Sequence, residues 1–181
     1  VSPSDGDPVV GWHRTRITVH PRRGWRDNTT YVVTLLPGLM DLRSNVRDST
    51  TVLVFSTGDS IPLTRVTGTV FDWSKGTAAP RAYIEAHPVG DTTVTFPTKA
   101  DSVGRFVLPY LSVGYYVVRS IIDANNNRRL DAREAWDSDT LQLRDVSPVE
   151  LYAFVHDTTG PRISTVTVVD SVTLRIVFDQ A

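Results

Sequence analysis

The chain has 181 residues, enough for one large domain or two modules of β-sandwich size, and its 40% hydrophobic and 22% charged residues exclude a largely disordered chain. Nineteen bases against twenty acids give a net charge of -1, so no global field recruits nucleic acid or an anionic membrane. The absence of cysteine excludes disulfides, thiolate metal sites and a cysteine nucleophile.

Taken in chain order, the segments that alternate or are rich in β-branched residues predict strands over 15–19, 31–36, 51–56, 66–71, 82–87, 92–96, 105–108, 115–122, 140–143, 151–155, 163–169 and 172–178. Turn signals separate them: Pro37-Gly38, Ser56-Thr57-Gly58, Val103-Gly104 and Val113-Gly114. No window of helical length carries an apolar stripe of period 3.6, so the expected class is all-β, built from antiparallel sandwiches. The longest apolar run is far below the roughly 20 residues of a membrane helix, which predicts no membrane insertion. The first residues lack a charged region followed by an apolar core, so a secretion signal is expected upstream of residue 1.

Two polar breaks, Ser56 to Ser60 and Asp157-Thr158-Thr159-Gly160-Pro161, divide the chain into 1–58, 59–157 and 158–181. Seven bases and five acids precede Asp59, ten and thirteen lie between Asp59 and Asp157, and two of each follow. The acidity therefore sits in the middle piece. The densest basic cluster, Arg22, Arg23 and Arg26, has no aromatic platform or Gly-rich loop beside it and reads as a solvated turn ahead of a phosphate or glycan patch.

Asn28-Thr29-Thr30-Tyr31-Val32-Val33-Thr34-Leu35, then Pro37-Gly38-Leu39-Met40-Asp41-Leu42-Arg43-Ser44-Asn45, then Val54-Phe55-Ser56-Thr57-Gly58 resemble the ending of the bacterial Ig-like repeat of surface-layer and other exported proteins, with Ser44 where that pattern has glycine. Residues 157–179 resemble the opening strands of the same repeat. Because neither partial repeat closes a sandwich alone, residues 162–179 are expected to supply strands to residues 9–57, within one chain or between neighbours. The middle piece resembles the carboxypeptidase-regulatory or transthyretin-like module through Val66-Thr67-Gly68-Thr69-Val70, Ala82-Tyr83-Ile84-Glu85-Ala86, Thr98 to Phe106 and Leu111-Ser112-Val113-Gly114-Tyr115-Tyr116-Val117-Val118. That resemblance implies a spacer or binding domain without catalytic machinery. Independently, Gly104 and Gly114 stand where tight turns need positive φ, and Phe106, Leu108, Tyr116 and Val118 alternate toward one face.

One stretch carries chemistry. In Asp123-Ala124-Asn125-Asn126-Asn127-Arg128-Arg129-Leu130-Asp131-Ala132-Arg133-Glu134, the oxygen-bearing residues Asp123, Asn125, Asn127, Asp131 and Glu134 fall at positions one, three, five, nine and twelve, the spacing of a calcium loop. It also resembles the DxNxNGxxDxxE loop of transthyretin-like and related repeats in bacterial surface proteins, with Arg128 in the glycine position. The alternative is an Asn-rich turn held by side-chain to backbone hydrogen bonds and exposed ion pairs.

The remaining candidates are sparser. His13, His20, His87 and His156 lack ligand spacing, and no Gly-x-Ser-x-Gly elbow is present. Asp137 and Asp139 are a carboxylate pair without an implied cleft, and Trp12, Trp25, Trp73 and Trp136 are core aromatics or a sugar-stacking platform. The sequence reads as a non-catalytic structural or adhesive segment of a secreted or cell-surface bacterial protein, whose partners are the other domains of that protein, with calcium as its cofactor. The competing reading is a carbohydrate- or protein-binding accessory module of a secreted enzyme, marked by an exposed aromatic patch near Trp73 or Trp136.

Overall fold

The computed structural model describes residues 1–156 and 160–179, and every regular element among them is a strand. No helix among them is long and apolar enough to cross a membrane. Asp157 to Thr159, part of the second predicted boundary, lie outside the described residues.

The middle of the chain is a sandwich of eight strands: β5 (Arg65–Asp72), β6 (Thr77–Ala78), β7 (Tyr83–Pro88), β8 (Phe96–Lys99), β9 (Arg105–Pro109), β10 (Gly114–Ile121), β11 (Ala135–Leu143) and β12 (Val146–Val155). One layer runs β8-β7-β10-β11 and the other β9-β5-β12, with the short β6 pairing the end of β5. The layers join where Ala135 and Trp136 pair with Val155 and Phe154. Alternate residues of each layer point inward, as period-2 geometry requires, so Val66, Val70, Phe106, Leu108 and Leu151 meet Ile84, Tyr116, Val118 and Leu143 in one core. Phe106 and Leu108 thus reach it from one sheet, Tyr116 and Val118 from the other.

This is the sandwich expected for the middle piece, with one departure from an antiparallel design. β5 and β12 pair in parallel over Val146↔Arg65 to Ala153↔Asp72. A parallel pair needs a long crossover, and here the rest of the sandwich is that crossover. Two glycines make the packing fit. A Cβ at Gly68 would lie 2.3 Å from the Val149 carbonyl oxygen and 2.8 Å from the Phe106 ring. Gly104 takes φ +79, as expected of a tight turn, while Gly114 is extended backbone at the start of β10, contrary to the turn expected there.

Outside the sandwich the strands form isolated hairpins. β1 (Val9–His13) pairs β2 (Arg16–His20), β3 (Thr30–Leu35) pairs β4 (Thr51–Ser56), and β13 (Ile163–Val168) pairs β14 (Leu174–Phe178). The pairing expected within one chain between residues 162–179 and 9–57 does not form: β13 and β14 pair with each other in a separate two-stranded sheet. The N-terminal piece is tied to the sandwich instead. Ser2 pairs with Val32, Ser4 exchanges two backbone hydrogen bonds with Thr95, and Arg26 reaches Asp91 at 2.9 Å. Trp25 stands edge-on to Tyr31 and Phe55, at 4.7 and 5.0 Å, and closes one end of the β3–β4 face.

Candidate metal centre

The loop between β10 and β11 is closed at its base by the Ile122 N–H, which donates to the Ala135 carbonyl at 2.8 Å. Within it the five side chains singled out by spacing each make hydrogen bonds that brace the turn. Asp123 accepts the backbone N–H groups of Asn127 (3.1 Å) and Arg128 (2.9 Å). Asn125 Oδ1 accepts the Asn127 N–H at 3.0 Å, and Asn127 Oδ1 accepts the Arg129 N–H at 2.8 Å. The amide groups of Asn125 and Asn127 both donate to Asp131 Oδ2, at 2.7 and 2.9 Å. Glu134 is buried and accepts the N–H groups of Ala124 (2.9 Å) and Asp131 (3.1 Å), one on each carboxylate oxygen.

Arg128, standing where a glycine is usual, takes φ +60, and Asn126 takes φ +58. The sharp turn therefore forms without glycine, at the steric cost that a Cβ brings to the left-handed region. Arg128, Arg129 and Arg133 make no ion pair among the described residues, so the loop is held by its Asn, Asp and Glu134 bonds and by backbone bonds.

Three carboxylates and two carboxamides are hard oxygen donors of the kind calcium takes. In this arrangement the two amide N–H₂ groups occupy the space before Asp131. Rotating each amide by half a turn would present Asn125 and Asn127 Oδ1 there, at the expense of the bonds those oxygens accept from the Asn127 and Arg129 N–H groups. Among the described residues no group of three or more His, Cys, Asp or Glu side chains is arranged to hold a metal.

An aromatic face lies on the outside of the adjoining strands. Phe71 and Tyr152, cross-strand neighbours on β5 and β12, stack at 5.2 Å, and Trp73 stands edge-on to Tyr152 at 5.7 Å. Two residues along β12, Phe154 stacks on His156 at 3.9 Å, and Trp136 stacks on the same imidazole at 4.1 Å. Trp73 is 65% exposed, and Tyr152 and Phe154 about 40%. Tyr152 donates its hydroxyl to Glu150 at 2.6 Å, and that bond raises the phenol pKa above its ordinary value. Sequence reasoning named Trp73 and Trp136 separately. That they belong to one face depends on β12 lying between β5 and β11, and no local pattern encodes that order.

The other candidates are dispersed or occupied. Asp137 accepts the N–H groups of Ser138 (2.8 Å) and Tyr152 (2.7 Å), and Asp139 accepts that of Thr140 (2.7 Å), so both carboxylates brace backbone. Two surface depressions lie elsewhere, at the junction of the N-terminal piece and the sandwich, both lined by Pro3, Arg26 and Val94. Of the basic cluster, Arg22 and Arg23 donate backbone N–H groups to Asp5 at 3.0 and 2.7 Å, while Arg26 engages Asp91. His13 and His87 lie on β1 and β7, and His20 Nδ1 donates to the Pro21 carbonyl at 2.8 Å.

No family model matches the sequence, nor does any curated protein match it significantly. Among solved structures, a 5-hydroxyisourate hydrolase from Klebsiella pneumoniae superposes on 54% of this chain and 97% of its own, with 14% identity and a TM-score of 0.36.

Proposed function

We propose that this chain is a non-catalytic structural or adhesive segment of a bacterial protein exported to the cell surface or secreted, with its sandwich stiffened by calcium at residues 123–134. The observation that supports the reading is the calcium-loop spacing of Asp123, Asn125, Asn127, Asp131 and Glu134, with Asn125 and Asn127 both bonded to Asp131, in a loop whose turn forms despite Arg128. Calcium would clamp the β10–β11 connection, and with it the strands that join the two layers. Its partners are the neighbouring domains of the same protein.

The test is thermal unfolding with and without calcium at millimolar concentration. Affinities near 10⁻⁴ to 10⁻³ M give on the order of 1.5 kcal/mol at saturating calcium, a rise of roughly 5–10 °C for a sandwich of this size. Glu134→Gln should abolish the rise. An unchanged melting curve together with no heat on calorimetric titration would remove the calcium clamp.

The aromatic face supports a second reading, a carbohydrate- or protein-binding accessory module. Exposed Trp73 and Tyr152, with Glu150 beside them, present ring faces and an acceptor to a sugar. Retardation on a glycan affinity gel that Trp73→Ala relieves would favour it over the structural role.

A further inference from the structure

The larger of the two seam depressions encloses about 290 Å³. One wall is the turn ahead of β3, with Asp27 and Asn28; the other belongs to the sandwich, through Phe96 on β8, Tyr110 in the β9–β10 turn and Tyr116 on β10. Three aromatic residues thus share one side. Tyr116 is buried, stands edge-on to Phe96 at 6.1 Å, and donates its hydroxyl to the Ser112 carbonyl at 3.0 Å. Tyr110 takes φ +62, a left-handed conformation that a bulky residue enters only at a steric cost. Leu111 beside it is fully buried and its carbonyl accepts the Thr64 hydroxyl, so the chain must turn at this point. A glycine would make that turn more cheaply; what the tyrosine adds is a ring and a hydroxyl at the wall of the depression.

The charged groups narrow what fits. Arg26 and Asp91, both on the lining, neutralise each other at 2.9 Å, and Thr93 bonds Asp91 further. Asp27 is bonded through its backbone carbonyl, which accepts the Thr29 hydroxyl at 2.9 Å. Its carboxylate and the Tyr110 hydroxyl make no hydrogen bond among the described residues. An anion therefore meets no free cation here, and a purely apolar ligand would strip water from these groups without replacing it. From this geometry we infer that the seam depression binds one neutral hexose unit, its C–H face on the aromatic side and its hydroxyls on Asp27 and Tyr110. A carboxylate accepts from two neighbouring hydroxyls at once, and a sugar ring offers such a pair. A volume close to the roughly 300 Å³ at which small-molecule sites begin admits one ring and not an extended chain. The site is separate from the calcium loop and from the outer aromatic face, and the inference stands without either.

The test follows the backbone amides of the isotope-labelled full chain by NMR during titration with the methyl glycosides of glucose, galactose and mannose. A ligand of about twelve heavy atoms and ordinary efficiency binds with a Kd on the order of 1 mM. At least one glycoside should give saturable shifts in that range, centred on the amides of Asn28, Asp91, Phe96 and Tyr110. Asp27→Ala removes no internal side-chain bond, so its spectrum should stay dispersed while the affinity falls about tenfold. Tyr110→Gly keeps the turn and removes the ring and hydroxyl, and it should weaken binding at least as much. The same spectra report whether each variant is folded. Any of four results overturns the inference: no saturable shift with any of the three glycosides, shifts centred on Trp73 and Tyr152, an unchanged affinity in folded Asp27→Ala, or tetramethylammonium chloride shifting the seam amides where the glycosides do not. The second would place sugar on the outer aromatic face, and the last would make the depression an aromatic cage for a cation.

Discussion

The sandwich and the terminal hairpins are made of the same chemistry and end in opposite states. Leu151 on β12 and Leu174 on β14 are both leucines in alternating strands, yet Leu151 is fully buried and Leu174 is 60% exposed. Alternation specifies that a strand will have an apolar side. Whether that side is buried depends on a second sheet, which β5 to β12 supply to one another and β13–β14 lacks.

The largest way to break this contrast is to make the sandwich resemble its ends. Gly68→Ala sets a methyl against the Val149 carbonyl and the Phe106 ring, neither of which can retreat without moving a strand. It should cost about 3 kcal/mol or more in chemical denaturation. A truncation pair sharpens the comparison next. Leu151→Ala should cost roughly 2–5 kcal/mol, whereas Leu174→Ala, measured at concentrations where the chain is monomeric, should stay within about 0.5 kcal/mol. Equal costs would mean that the hairpin already has a covering sheet.

A smaller effect tests two of the positions where a side chain takes a left-handed conformation, those at which the resembled patterns have glycine. Ser44, at φ +64, and Arg128, at φ +60, stand in the N-terminal piece and the sandwich respectively. Replacing either by glycine should relieve about 1 kcal/mol of backbone strain. Only Arg128→Gly should appear as a higher melting temperature of the sandwich, because Ser44 lies in a turn braced only by Asp41 and its neighbours.

The smallest effect concerns the seam between the two regions. Hydrogen bonds from the Thr93 hydroxyl and N–H, with that from Arg26, lower the Asp91 pKa from 3.8 to about 2. A carboxylate depressed in the folded state contributes its stability above the unfolded value and loses it as pH falls toward the folded one. The seam should therefore loosen between about pH 4 and pH 2, read as a change in Trp25 fluorescence while the far-ultraviolet spectrum of the sandwich is unchanged. A signal constant across that window would mean that the Ser4 to Thr95 backbone bonds hold the seam alone.

Much of the fold was legible because burial is periodic. The predicted strands at 66–71, 82–87 and 105–108 match β5, β7 and β9 within two residues. β1 was missed because the turn joining it to β2 is built on Arg14 in the left-handed region, φ 51, with no glycine or asparagine to mark it. The strand predicted over 92–96 is displaced to Phe96–Lys99, since Asp91 draws Thr93 into a turn and Thr95 pairs with Ser4. The loop residues were legible one by one, because their spacing lies within twelve consecutive positions. The aromatic face was not, because it unites residues from 71 to 156 through strand order alone.

That same order has a mechanical consequence. The chain enters the sandwich along β5 and leaves it along β12, side by side and in the same direction, so Arg65 and Val155 mark opposite poles about 30 Å apart. Tension applied through the two ends pulls these neighbours past one another. Eight register pairs then bear the load together in shear, where an antiparallel hairpin pulled from its open end would unzip one rung at a time.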